Sequence, residues 1–253
     1  MQISHQLVPK LKNLRLSGIL ATLEVRTQQA IEEKLSYVEF LQRLLEDEVE
    51  RRAQKQLDLR LRRASFDLDK TLEGFDFSFN LSINRQQVFD LATSRFVERH
   101  ESVLIQGPAG VGKSHLAQAF GHEACRRGFD VLFVPTSRML SHLNGGRADG
   151  TYERRLSAYV RPDLLILDDF GLKPLHPPAP EDFYEVINER YEKGSLIVTS
   201  NRAFSEWPDL FQSPLLASAA LDRLAHNAHQ VIITGDSFRA KGRRRSPSER
   251  DDA

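Results

Sequence analysis

The sequence predicts a three-layer α/β domain, a parallel five-stranded sheet between helices, preceded by a small all-α N-terminal domain. Three observations carry this. Five short apolar runs, VLIQ (103–106), VLFV (131–134), LLILD (164–168), SLIVTS (195–200) and QVIIT (230–234), alternate with helical patterns. Parallel strands buried on both faces, joined by crossover helices, read this way. GPAGVGKS (107–114) stands between the first run and a helix-like stretch. Residues 1–65 hold apolar residues at three- and four-residue steps and no strand-like run.

In chain order, Leu7, Leu11, Leu14, Ile19, Leu20 and Leu23 give the first helical pattern. Ser36-Tyr37-Val38-Glu39 is a capping box that opens a second. That helix runs through Leu41, Leu44, Leu45 and Val49 toward Leu57 and Leu61, and its far end is basic: Arg51, Arg52, Lys55, Arg60, Arg62, Arg63. Residues 66–100 form a linker expected to lie on the next domain. FDFSFN within it alternates aromatic and polar residues, and 85–99 reads as helical. The sheet domain spans 101–240. Few residues follow the last strand, so a reduced or absent helical lid is expected. Residues 241–253 are charged and apolar-poor, a pattern of disordered tails.

Composition narrows the function. The formal net charge is +0, so attraction to nucleic acid must come from local patches. A single cysteine, Cys125, excludes an intrachain disulfide, and with no secretory signal at the start a reducing cytoplasm is the expected location. No apolar run approaches the roughly 20 residues of a membrane span. The eight histidines are scattered and suggest no metal site.

Gly107, Pro108, Ala109, Gly110, Val111, Gly112, Lys113 and Ser114 fit G-x-x-x-x-G-K-[ST] at every fixed position. The glycines let backbone amides turn inward toward phosphate oxygens. Lys113 brings positive charge to the outer phosphates, the Ser114 hydroxyl is a magnesium ligand, and the following helix points its positive end at the same spot. His115, next in the helix, is taken with them. LLILDD ends an apolar strand in two acids at the carboxyl edge of the sheet, with room for one intervening strand. Asp168 is expected to hold Mg2+ through water, and Asp169 to orient or deprotonate the attacking water. Thr199-Ser200-Asn201 ends the next strand, where Asn201 can reach the γ-phosphate and the lytic water. Arg223, in ALDRLAH, is a candidate arginine finger toward a neighbouring subunit, and Arg239, in DSFR, a candidate sensor of the same subunit's phosphates.

GPAGVGKSHLA, LLILDDFG, TSN, ALDRLAH and DSFR resemble the AAA+ ATPases of the initiator and helicase-loader branch, and within it the IstB-type ATP-binding proteins of insertion sequences. The resemblance extends to LRLSGI and the FDFSFN linker and covers nearly the whole chain. It implies a P-loop AAA+ fold, ATP binding, hydrolysis at subunit junctions, ATP-dependent homo-oligomer assembly on DNA, and partnership with the transposase of the same element. It also implies that the inserted helical segment, 137–161, approaches DNA. Many AAA+ proteins have glutamate where this chain has Asp169, so slow hydrolysis stimulated by DNA or partner is expected.

Two basic patches are candidates for non-sequence-specific duplex binding: Arg51, Arg52 and Lys55 on the N-terminal helix, and Arg147, Arg154 and Arg155, with Arg147 read in the glycine-rich turn NGGRADG. The alternative for 51–63 is a solvated face paired with Glu46, Asp47, Glu48 and Glu50. Two other functions stay open: a replicative helicase loader of the same branch, and an ATP-gated scaffold with negligible turnover.

Overall fold

A computed structural model describes residues 7–80, 82–235, 237 and 238. The chain separates into two compact units that divide between Leu59 and Arg60.

The first unit contains α1 (Leu7–Asn13), α2 (Ser17–Glu32) and most of α3 (Tyr37–Ala64). Helix breaks fall at Arg15 and Lys34, both with left-handed backbone. The capping box forms: Glu39 accepts from Ser36 N–H at 2.8 Å, and Ser36 Oγ accepts from Glu39 N–H at 3.3 Å. Leu11, Ile19, Leu23 and Leu44 make a small core, covered by Leu16, Leu20 and Phe40. The LRLSGI stretch is explained by Gly18. A Cβ there would lie 2.6 Å from Glu48 Cα, so only glycine lets α2 cross α3 this closely. Glu48 then accepts from Gly18 N–H at 2.6 Å, setting a carboxylate on the positive end of α2. Arg26 pairs with Asp47 through two hydrogen bonds of 2.9 and 2.6 Å, holding the Asp47 carboxyl down at about 2.

The second unit is built on β1 (Ser102–Gln106), β2 (Val131–Pro135), β3 (Leu164–Phe170), β4 (Ser195–Ser200) and β5 (Ala228–Ile232). The sheet order is β2-β3-β4-β1-β5, and every pairing is parallel. The last strand begins two residues before the apolar run QVIIT, because its ladder to β1 starts at Ser102 with Ala228. The 85–99 stretch is two helices, α4 (Arg85–Ala92) and α5 (Arg95–Glu98). Ser94, left-handed at φ 57°, turns the chain between them so that Phe96 and Val97 are buried.

Crossovers are α6 (Lys113–Arg126), α7 (Thr136–Asp149) with α8 (Tyr152–Val160), α9 (Ala179–Arg190) and α10 (Pro214–Ala225). One core joins β3 and β4 to α7–α10 through Leu165, Leu167, Phe170, Phe183, Val198 and Trp207. Arg190 is buried within this unit and donates to the carbonyls of Tyr159, Val160, Pro162, Asp163 and Ser195.

One sequence expectation is corrected. Arg147 lies inside α7 and not in a turn. The glycines of NGGRADG serve close packing: a Cβ on Gly146 would meet Tyr152 Cα at 2.9 Å, and one on Gly145 would meet Arg155 Nη1 at 2.7 Å. The turn comes later, at Gly150, φ 73°.

Candidate functional site

The strand order brings three carboxyl ends together. The phosphate-loop motif follows β1, the acidic pair ends β3, and β4, which ends in Thr199-Ser200, lies between them. This edge of an α/β sheet, where the topology reverses direction, is where such folds bind ligands. The loop is tied to its neighbours: Gly107 N–H donates to the Ser200 carbonyl at 3.2 Å, and Phe238 N–H to the Gly110 carbonyl at 2.9 Å. Gly112, at φ +105°, sits at the start of α6, and no side chain caps that helix. Its first-turn amides are the orphan donors that helices offer to anions.

A pocket of about 470 Å³ opens at this edge, within the range of small-molecule sites. Ala109, Gly110, Val111, Gly112, Lys113, Ser114 and His115 line one side. Asp169, Leu172 and Asn201 meet them, and the opposite wall comes from 69–80 together with Phe238. Lys113 is 5% exposed, and its Nζ donates to the Pro108 carbonyl at 2.7 Å, so the ammonium is curled over the loop.

Asp168 does not line that pocket. It is buried, and its Oδ1 accepts from Thr199 Oγ1 at 2.5 Å. Its carbonyl accepts from Thr136 Oγ1 at 2.9 Å. Asp169 is exposed and left-handed at φ 57°, with its N–H donating to Thr199 Oγ1 at 2.9 Å. Thr199, from the same triplet as Asn201, therefore holds the Asp168 carboxylate and the Asp169 backbone. The sequence singles out Asn201 in this triplet and not Thr199, whose signal is a hydroxyl ending a buried apolar strand.

Other candidates are placed differently. His115 lines the pocket, but its Nε2 bonds the Thr71 carbonyl at 2.8 Å, so the ring serves the opposite wall. Burial, foremost, lowers its pKa. Arg223 lies outside the pocket lining, donates to its own helix at Ala219 O, 2.8 Å, and stands over the Tyr184 ring. Arg239 and the 241–253 tail lie outside the described residues.

The candidate DNA contacts divide. Arg147 donates to Asp182, fully buried, at 2.5 Å and stacks over Tyr152. Arg155 is held by Asp149, Thr151 and the His142 carbonyl. Arg154 is exposed, with no ion pair among the described residues. In the first unit, Arg51 bonds Ser17 and Arg52 bonds Glu48, while Lys55 is exposed.

No group of three His, Cys, Asp or Glu that could hold a metal occurs among the described residues. An uncapped helix start beside a buried lysine suits a triphosphate. Of the two expected magnesium ligands, Ser114 lines this pocket, whereas Asp168 is buried outside its lining and bonded to Thr199. No helix is long and apolar enough to cross a membrane among the described residues.

These features define a P-loop nucleotide-binding domain of the AAA+ type. In fold it is similar to the DnaC helicase loader, with TM-score 0.57 and 22% identity over 66% of this chain and 97% of that one. It is likewise similar to DnaI, with TM-score 0.56 and 21% identity over 67% and 95%. The chain belongs to the family of IstB-like ATP binding proteins, whose sequence profile matches residues 9–246. It is 45% identical over 234 residues to an insertion-sequence ATP-binding protein of Mycobacterium tuberculosis, covering 92% of this chain and 93% of the relative. A counterpart in Pseudomonas aeruginosa is 39% identical over 242 residues, covering 96% and 91%.

Proposed function

We propose that the protein is an ATPase that assembles with ATP on duplex DNA and helps the transposase of its insertion sequence to engage target DNA. The observation that carries this reading is the pocket at the sheet edge, where the phosphate loop faces Asp169 and Asn201 in a chain of the IstB-like family.

Within it, the backbone amides of 109–114 and the Lys113 ammonium bind the phosphates. Ser114 would ligate magnesium directly and Asp168 through water, and the ion would supply charge neutralisation. Asp169 positions the lytic water and takes its proton, and Asn201 orients the same water against the γ-phosphate. Arg223 lies outside the lining of its own pocket, as a residue acting on a neighbouring subunit must, and its role is to stabilise transition-state charge there. Arg239 is the proposed sensor of the same subunit's phosphates. Arg154, with Lys55 and the outer faces of Arg51 and Arg52, supplies DNA contacts that read no sequence. Arg147 and Arg155 contribute chiefly by holding the inserted helices. Turnover is slow and rises with DNA or partner.

Phosphate release with and without duplex DNA tests the activity, with Lys113→Ala as control. Release that is absent under all conditions, partner included, leaves the scaffold reading. Arg223→Ala is expected to keep ATP uptake and lose DNA-stimulated release. Duplex and single-stranded binding compared side by side separate the transposition reading from a helicase loader.

A further inference from the structure

We propose that residues 66–80 form a strap that sets the shape of the phosphate loop, with Phe75 as the positioning residue. Nucleotide uptake and ordering of the strap are then linked. This rests on the nucleotide-binding reading above and adds how the site is regulated.

Four side chains on one face of α6 clip the strap down. His115 Nε2 donates to the Thr71 carbonyl at 2.8 Å, and Gln118 Oε1 accepts from Asp67 N–H at 2.8 Å. His122 Nε2 reaches the Asp67 carbonyl at 3.4 Å, with its ring 4.7 Å from that of Phe66. Arg126 pairs with Glu73 at 2.6 Å. Positions 115, 118, 122 and 126 recur at three- and four-residue steps, which puts them on one helix face. The face that begins at the phosphate loop is thus the face that holds the strap.

Phe75 closes the arrangement at the loop itself. Its ring meets that of His115 edge-on, 5.1 Å between centroids. A Cβ on Gly112 would lie 3.0 and 3.2 Å from two of its ring carbons, so Phe75 fills the space that a side chain at 112 would occupy. Phe77 braces Phe75 from behind at 4.9 Å, and Phe89 stacks on Phe77 at 5.7 Å. The turn from loop into α6 cannot tilt toward the strap without displacing Phe75, nor away from it without opening a gap. Lys70, Phe75, Phe79 and Asn80 line the same pocket as the loop, so a bound nucleotide meets both walls. Without Phe75 the amide cradle spends less time in its competent shape, and apparent affinity falls by that fraction.

The test uses the full-length protein, a fluorescent ATP analogue with magnesium, and hydrogen exchange of 66–80. In wild type, nucleotide is expected to slow strap exchange. Phe75→Ala is expected to raise Kd about tenfold and to abolish the exchange response, while Phe75→Leu recovers part of both. A purely structural role would move neither the nucleotide-dependent exchange nor the rescue. Should Phe75→Ala not fold, His115→Phe keeps a ring and removes the bond to Thr71, and the same direction is expected. Wild-type binding that Lys113→Ala abolishes but Phe75→Ala leaves intact, with strap exchange indifferent to nucleotide, overturns the strap and leaves the binding site standing. No uptake by wild type overturns both.

Discussion

Thr199 and Asp168 are joined hydroxyl to carboxylate at 2.5 Å, and the same hydroxyl accepts the N–H of Asp169. One side chain from β4 therefore holds the Asp168 carboxylate and the Asp169 backbone near the end of β3. Thr199→Val keeps the shape and removes both bonds, the one to the Asp168 carboxylate being the charged one. The expected outcome is nucleotide affinity within about twofold and hydrolysis down about tenfold, since one hydrogen bond to a charged group is worth about 1.5 kcal/mol or more. Thr199→Ser should restore most of the rate. Single-turnover phosphate release with parallel binding titrations checks both.

The backbone at Asp169 explains its side chain. Left-handed φ, here 57°, is borne best by glycine, asparagine and aspartate. Asp169→Asn is expected to fold and take up nucleotide normally while losing hydrolysis by about a hundredfold, the usual worth of a positioned base. Asp169→Glu, the residue common in related ATPases, should lower stability by about 1 kcal/mol. Denaturant melts alongside rate measurements separate the two effects.

Arg147 and Arg154 are expected to fail differently. Removing Arg147 leaves Asp182 buried without its cation, and one Asp182 oxygen already has no partner. Arg147→Ala should cost about 2–3 kcal/mol in stability, below the about 3–5 kcal/mol of a fully buried pair because Arg147 is 41% exposed. Arg154→Ala should leave stability within about 0.5 kcal/mol and reduce the salt slope of duplex binding by about 1. Equal DNA affinity and slope in Arg154→Ala would remove that side from the interface.

Acid should weaken the second unit. Burial, the largest cause, lowers the pKa of His115 and His122. The carbonyls of Thr71 on His115 and of Asp67 on His122 oppose it, as do the Asp67, Glu123 and Glu73 carboxylates, while Lys70 beside His115 and Arg126 beside His122 act with burial. The unfolded chain therefore takes up protons first. The stability from these neutral rings is present above about pH 6.5 and is lost as pH falls through their lowered folded values. Melting temperatures between pH 7.5 and 5 should fall, and His122→Gln should flatten the decline.

The strands and phosphate loop were legible because burial on both faces leaves nearly unbroken apolar runs, and because the glycine pattern at 107–114 follows one of them. Arg147 was misplaced because Gly145-Gly146 reads as a turn by local preference. Their actual reason is the approach of α8, a contact with no signature in neighbouring residues. His115 and Phe75 illustrate the same limit. The link between loop and strap joins positions 40 residues apart in sequence, and periodicity reports only nearest turns. Arg154 and Arg155 were equivalent in sequence, and only the fold separates the tethered one from the exposed one.

The five carbonyls gathered by Arg190 carry a further consequence. The end of α8, the entry to β3 and the start of β4 meet at a single interior rivet, and burial lowers its pKa only to about 10, so it stays cationic at neutral pH. A neutral replacement would take a donor from all five acceptors together, leaving the Asp163 carbonyl its bond from Ser195 N–H. The inserted hairpin is thus not a detachable module: unit two should melt as one cooperative block, and grafting 137–161 elsewhere would require carrying this arginine along.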